Sequence, residues 1–377
     1  MTQKTTAANL QKKSLVKFAP KTDNSFYDTV RQRVDEYFTA NNLSKHANVS
    51  MKIKTAVMLS LYFVPYTVMA AGWGDGSVWL FYGLWVLMGL GVVGIGTSVM
   101  HDSNHGSYSG SKLLNSLLGN ILNLLGGYGR TWRIQHNILH HTYTNVDGLD
   151  EDIEAGVLLR MSPHAPRYGF HRFQHLYAWF LYALMNLFWV TVKDFKQVVR
   201  YEREGLLRKE KVSLKKAITE LSLVKVFYLC YVVGIPILFS GMPWYHVLLG
   251  FVLMHMLAGL GLACIFQPAH VMETSAYPEP SPARKMEQSW AVHQLLNTTN
   301  FSPRSRVTAW FIGGLNYQIE HHLFPQVCHI HYPKISAIVE RTAGEYGLPY
   351  YVQRNFATAL LQHARMLRAL GQATPAQ

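Results

Sequence analysis

The chain has 377 residues, of which 49% are hydrophobic, 13% aromatic and only 15% charged, with a formal net charge of +13. That charged fraction is low against the roughly 25% of soluble globular domains, and basic residues bunched beside apolar runs point to an anionic membrane surface rather than to nucleic acid. Cys230, Cys264 and Cys328 have no CxxC spacing, which argues against both a disulfide framework and a thiolate metal site.

In chain order, residues 1–54 are predicted to form a cytosolic N-terminal arm. The arm is polar and Lys-rich and has no signal-peptide core. It carries one amphipathic helix over about 25–40, with Phe26, Val30, Val34, Tyr37 and Phe38 at helical spacing. That helix either lies on the membrane surface or packs on the protein's polar head.

Five apolar stretches follow, over about 55–73, 78–100, 175–192, 223–240 and 244–266. About 20 residues span the hydrocarbon of a bilayer. Gly72-Trp-Gly-Asp-Gly76 joins the first two and Gly241-Met-Pro243 the last two, so each pair is expected to be a helical hairpin. If the middle stretch also spanned, the basic loop 193–216 would fall on the side opposite the basic arm, against the positive-inside tendency. The expectation is therefore four spans, with interfacial helices at 113–125 and 175–192. Residues 55–350 are taken as the membrane domain, and 351–377 as a cytosolic C-terminal helix and tail.

Seven histidines stand in three short stretches, His101-Asp-Ser-Asn-His105, His136-Asn-Ile-Leu-His140-His141 and Gln318-Ile-Glu-His321-His322. Pairs four apart lie on one helix face about 5–6 Å from each other, close enough to share an ion. A zinc site takes about four ligands, so these donors exceed what one ion uses, and a two-metal site is expected. Shared chemistry requires all three stretches on one side of the membrane, as four spans allow. Asp102 is a candidate for orienting an imidazole, and the acidic run Asp147, Asp150, Glu151, Asp152 and Glu154 reads as a solvated loop. His255, mid-membrane, is expected to be neutral and bonded to a neighbouring helix. His164, His171, His175, His329 and His331 read as solvated loop histidines.

HDSNH, HNILHH and NYQIEHHLFP, in this order, resemble the three histidine boxes of the membrane fatty acid desaturase family, over about Ala56 to Pro333. Gln318 stands where many members carry the first histidine of an HxxHH box, a substitution typical of front-end and related acyl-lipid members. The resemblance implies an all-α integral membrane protein, with four transmembrane helices in two hairpins and a cytosolic helical cap over a histidine-ligated dimetal site. It implies two iron ions, dioxygen as co-substrate and two electrons from an external donor, used to introduce a double bond into an acyl chain. Imidazole suits several metals, so iron comes from the resemblance. Removing an unactivated methylene hydrogen agrees with it, since no side chain supplies such an oxidant.

The expected ligands are His101, His105, His136, His140, His141, His270, His321 and His322, with no catalytic residue separate from the metal centre. Gln318, Gln267, Asp102 and His293 are candidates for ligation or support of the ligands. Tyr128 and Trp132 are candidates for the acyl path. The substrate is expected to be an acyl lipid, acyl-CoA or acyl carrier. The chain has no HPGG haem signature, so the donor is expected to be a ferredoxin or small haem protein. Loop 193–216 either docks that donor or touches the membrane. The expected location is a bacterial inner membrane, with membrane lipids as partners and no nucleic acid, and the site on the cytoplasmic face. A membrane hydroxylase or ketolase built on the same boxes is the alternative, and a non-enzymatic metal-handling membrane protein a more distant one.

Overall fold

A computed structural model describes residues 16–20 and 25–372; the rest of the expected arm and the end of the tail, 373–377, lie outside the described residues. The described chain is helical apart from one two-residue parallel pair, Asn300–Phe301 with Val352–Gln353. The helices that build the site are numbered α1 to α10. Helix α1 (Phe26–Ala40) starts at Ser25, whose side chain accepts the Asp28 N–H, and it buries Phe26, Val30, Val34 and Phe38 along one stripe. That stripe packs with Ile335 and Val339 of α10 (Tyr332–Glu345), so the helix lies on the protein's head.

Among the described residues, five helices are long and apolar enough to cross a membrane: α2 (Val49–Ala70), α3 (Val78–Asn104), α5 (Gly169–Arg203), α6 (Leu214–Phe239) and α7 (Trp244–His270). Apolar surroundings offer backbone groups no partners, so such segments satisfy their hydrogen bonds internally as helix. α2 with α3, and α6 with α7, are hairpins turned at Gly72 (φ +74) and Gly241 (φ +73), backbone conformations that side-chain-bearing residues rarely adopt. The two turns meet, since a Cβ at Gly72 would lie 3.1 Å from the Phe239 carbonyl and one at Gly241 would lie 3.0 Å from the Asp75 Cβ. The other ends of the hairpins converge on the cap. There the Ala47 N–H bonds the Tyr108 carbonyl at 3.0 Å, and Lys54 reaches His329 at 2.7 Å.

The expected helix at 175–192 is the middle of the 35-residue α5. Both ends of α5 are tied to one short segment of the cap. Gln174 exchanges hydrogen bonds with the backbone of Arg160 at 2.8 and 2.9 Å, while Gln197 donates to Glu151 at 2.7 Å. The expected helix at 113–125 is two short pieces, Lys112–Gly119 and Ile121–Leu124, with Leu113, Leu114 and Leu117 exposed. Below the cap, Lys225 of α6 and Asp194 of α5 form a buried pair at 2.5 Å, to which Thr131 also donates at 2.6 Å. The expected loop 193–216 is helical over its first part, since α5 continues to Arg203, and there Arg200 is engaged by Glu154 and Glu204 at 2.6 and 3.0 Å.

Glycines let the hairpin helices approach closely. A Cβ at Gly91 would lie 2.8 Å from the Tyr62 backbone nitrogen, whereas one at Gly83 on the same helix meets nothing within 4 Å. Gly91→Val should destabilise the detergent-solubilised protein by about 1–3 kcal/mol, the usual cost of overpacking. Gly83→Val should leave the thermal midpoint unchanged. Equal midpoints for the two variants would contradict this packing.

Candidate metal centre

Boxes one and two sit where α-helices wind over into π-helix, an arrangement frequent at functional sites, while box three lies on an ordinary α-helix. Residues Ile95–Val99 of α3 are π-helical just before His101. In α4 (residues 129–143) the π-helical stretch Ile134–His140 carries box two. The wider winding brings His136 and His141, five apart, to 3.2 Å between Nε2 atoms, and His101 Nε2 lies 3.1 Å from His136 Nε2. The spacing of box two predicts one shared ion for His136 and His140. Their rings stack at 5.5 Å and, with Asp152, they offer ligand atoms within 4.8 Å of one another, while each also joins a different all-histidine group.

The first group holds His101, His105, His136 and His321, each offering a nitrogen within 4.8 Å of the others. The second holds His140, His270 and His322 on the same criterion. His141 lies between, within that distance of His321 and His322. All eight expected histidines therefore meet, drawn from α3, α4, α7 and α9 (Gln318–Leu323).

The donor set fits metal ions. The Nε2 atoms of His105, His270, His321 and His322, and Nδ1 of His101 and His141, are buried without a hydrogen-bond partner. Polar atoms rarely stay so in a folded protein. Burial first, and neighbouring imidazoles second, hold His105, His136, His141, His321 and His322 well below the ordinary imidazole value, in the neutral form that binds metal. His140 differs. Burial opposes its protonation, but the carboxylates of Asp150 and Asp152 outweigh burial and raise it to about 9.

Outer partners aim several Nε2 atoms inward by occupying Nδ1. His140 donates to Asp150 at 3.1 Å, His322 to Gln294 of α8 (Trp290–Asn297) at 2.8 Å, and His270 to the Asn297 carbonyl at 3.1 Å. His321 faces the Tyr332 hydroxyl at 3.3 Å. Asp150 is fully buried and also accepts the Asn145 N–H at 2.9 Å, so the acidic run is not simply a solvated loop. Its capping role at the turn after box two is the signal that points to it. Asp152 also lies within 4.8 Å of His136 and His140. Glu320, inside box three, is pushed up to about 7 by burial and is bonded by Asn300 and Tyr350 at 2.8 Å.

Other expectations change. Asp102 orients His329 at 2.8 Å and lies 3.7 Å from His101. His171, His329 and His331 are buried rather than solvated, because cap segments fold over them. Gln267 donates to the Asp152 carbonyl at 3.1 Å, tying α7 to the cap. His293 is buried against Phe18 at 5.1 Å and joins neither imidazole group. Gln318 is buried with its Nε2 unpaired. His255 is bonded by Asn186 of α5 and Tyr228 of α6, as its position suggests.

Trp132 stacks on His136 at 4.5 Å and stands edge-on to His101 and His105. Below it lies a slot of about 50 Å³, walled by Met100, Gly96, Val92, Phe266, Leu262 and Asn186. Tyr128 points elsewhere and donates to Glu220 at 2.9 Å.

Residues 77–354 match the family described as "Fatty acid desaturase". The chain is 36% identical to an acyl-lipid (8-3)-desaturase of Physcomitrium patens over 96% of this chain and 74% of the relative. It is 33% identical to an sn-1 linoleoyl-lipid 6-desaturase of Arthrospira platensis over 92% of each chain. With a 6-desaturase of the same description from Synechocystis sp. it shares 33% over 95% of this chain and 98% of the relative. Family, relatives and apolar helices agree, and the chain belongs to the fatty acid desaturase family as a membrane oxidoreductase that desaturates acyl chains.

Proposed function

We propose that this desaturase holds two iron ions, one among His101, His105, His136 and His321 and the other among His140, His270 and His322, with His141 between them. The observation that carries this reading is the set of buried, unpartnered nitrogens facing one another across the two groups. Bound iron, with dioxygen and two electrons, supplies the oxidising power that breaks an unactivated C–H bond. The protein's part is positional. Asp150, Gln294 and the Asn297 carbonyl hold Nδ1–H groups so that Nε2 faces the centre. Trp132 and the slot below it place methylenes beside the first group and exclude water.

The substrate is the acyl chain of a membrane lipid, as the names of the relatives suggest. Electrons come from a separate carrier, a ferredoxin or small haem protein, with loop 193–216 as a candidate contact. The membrane domain, 55–350, crosses the bilayer four times, through α2, α3, α6 and α7. Support comes from α5, whose ends both return to the segment around Glu151 and Arg160 and so lie on one side. The cap, with both termini, then faces the cytoplasm of a bacterial inner membrane, on the side favoured for the basic arm.

Purified protein should contain about two irons per chain, and His140→Ala should lose desaturation when host lipids are examined by gas chromatography and mass spectrometry. Full desaturation by that variant, one zinc and no iron per chain, or hydroxylated products alone would contradict the reading. Asp150→Asn should weaken metal binding by roughly 10–100-fold, the usual effect of removing an outer partner. Unchanged affinity would remove Asp150 from its assigned role.

The proton on His140 gives the sign of the pH dependence. Metal-free His140 keeps it up to about 9, and a metal at Nε2 must displace it. Apparent affinity should therefore climb with pH by up to ~tenfold per unit and level off near that value. A titration flat across neutral to alkaline pH would contradict this.

A further inference from the structure

We propose that Asn186, locked in place by His255 and Tyr228, closes the far end of the slot and sets how many acyl carbons extend beyond the metal groups. The proposal rests on reading the slot as the acyl path. Its walls descend from the site in helical steps. On α3 they run from Met100 through Gly96 to Val92, and on α7 from Phe266 to Leu262, each step about one turn. Asn186 lies at the deep end. A Cβ at Gly259, about one turn beyond Leu262, would lie 3.0 Å from the Asn186 backbone nitrogen.

Apart from the two tryptophan indoles, Asn186 is the one polar side chain in this otherwise apolar lining. An amide among membrane helices calls for a reason, since intramembrane polar groups are expensive and usually functional. Its Nδ2 donates to His255 Nδ1 at 2.8 Å, which leaves the proton of the neutral ring on Nε2, and that N–H donates to the Tyr228 hydroxyl at 2.7 Å. All three side chains are buried. The chain of bonds crosses α5, α7 and α6, and the Tyr228 ring packs on Gly126, next to the slot-lining Gly127.

An apolar stop would yield as side chains repack. A directional bond to His255 of α7, whose ring is itself tied to Tyr228 of α6, holds this amide at one depth, and a longer chain advances only by breaking a bond where no water replaces it. Asn186 is therefore a length-limiting residue, and His255 and Tyr228 are positioning residues that act through it.

The test uses the full chain in a host fed a series of fatty acids and reads the ratio of twenty- to eighteen-carbon product. Asn186→Ala should raise that ratio on the order of tenfold, the scale on which pockets discriminate methylenes. His255→Phe should raise it in the same direction, and Tyr228→Phe by less. An unchanged ratio in an active Asn186→Ala protein overturns the proposal. If that variant does not accumulate, Asn186→Ser carries the same test with a smaller expected rise, and an unchanged ratio there overturns the proposal equally. Gly96→Val, which narrows the slot above Asn186, tests the path itself. Eighteen-carbon desaturation retained in Gly96→Val means the acyl chain runs elsewhere. Loss of it, with metal retained but no shift in the Asn186 variant, overturns the role of Asn186 alone.

Discussion

Everything in this structure is arranged around a set of imidazole nitrogens that are buried and have nothing but one another to face. His101 Nε2 and His136 Nε2 lie 3.1 Å apart, and His136 and His141 lie 3.2 Å apart. Crowded imidazoles whose remaining nitrogens find no hydrogen-bond partner are a poor arrangement on their own, because those buried polar atoms lose water and gain nothing in exchange. The surrounding fold imposes it. Hairpin ends bring box one and His270 to the cap, π-winding packs three rings of box two into six residues, and α8 with α10 press box three into place.

The outer partners show the same logic. Asp150, Gln294, Asn297 and Tyr332 each take one nitrogen of a box imidazole or of His270 and leave the other free. Two charged groups stand a step further out. Lys54, nearly inaccessible, holds His329 against Asp102, and Lys225 holds Asp194 beneath box two. Such pairs contribute less to net stability than to keeping one arrangement, since removing a single partner strands a buried charge.

Much of this was legible in the chain. The spacing of the boxes, the short hairpin turns and the packing stripe of α1 follow local rules that need no knowledge of the fold, while the order of the boxes and the extra histidine at the end of α7 were legible through the family resemblance. The parts that were not legible depend on distant contacts or on winding. HNILHH reads as α-helix, and nothing in its composition reveals the π-winding that also brings His141 against His136. Asp150 looks like its acidic neighbours until the loop folds back over His140. Gln294 and Asn297 lie far from the boxes in sequence. Asp102 was expected to orient an imidazole, and the one it holds most closely is His329, more than two hundred residues away, which no local pattern names. Like the other four long helices, α5 is apolar enough to cross a membrane, and the anchoring of its two ends at Arg160 and Glu151 is a distant contact that the sequence does not name.

The most direct measurement is the anomalous scattering of crystals of the purified protein, collected on both sides of the iron absorption edge. Two iron peaks, one inside the His101, His105, His136 and His321 group and one inside the His140, His270 and His322 group, are the expected result. A single peak, or a metal seated instead at the neighbouring Asp102, Cys328 and His329 cluster, would contradict the account.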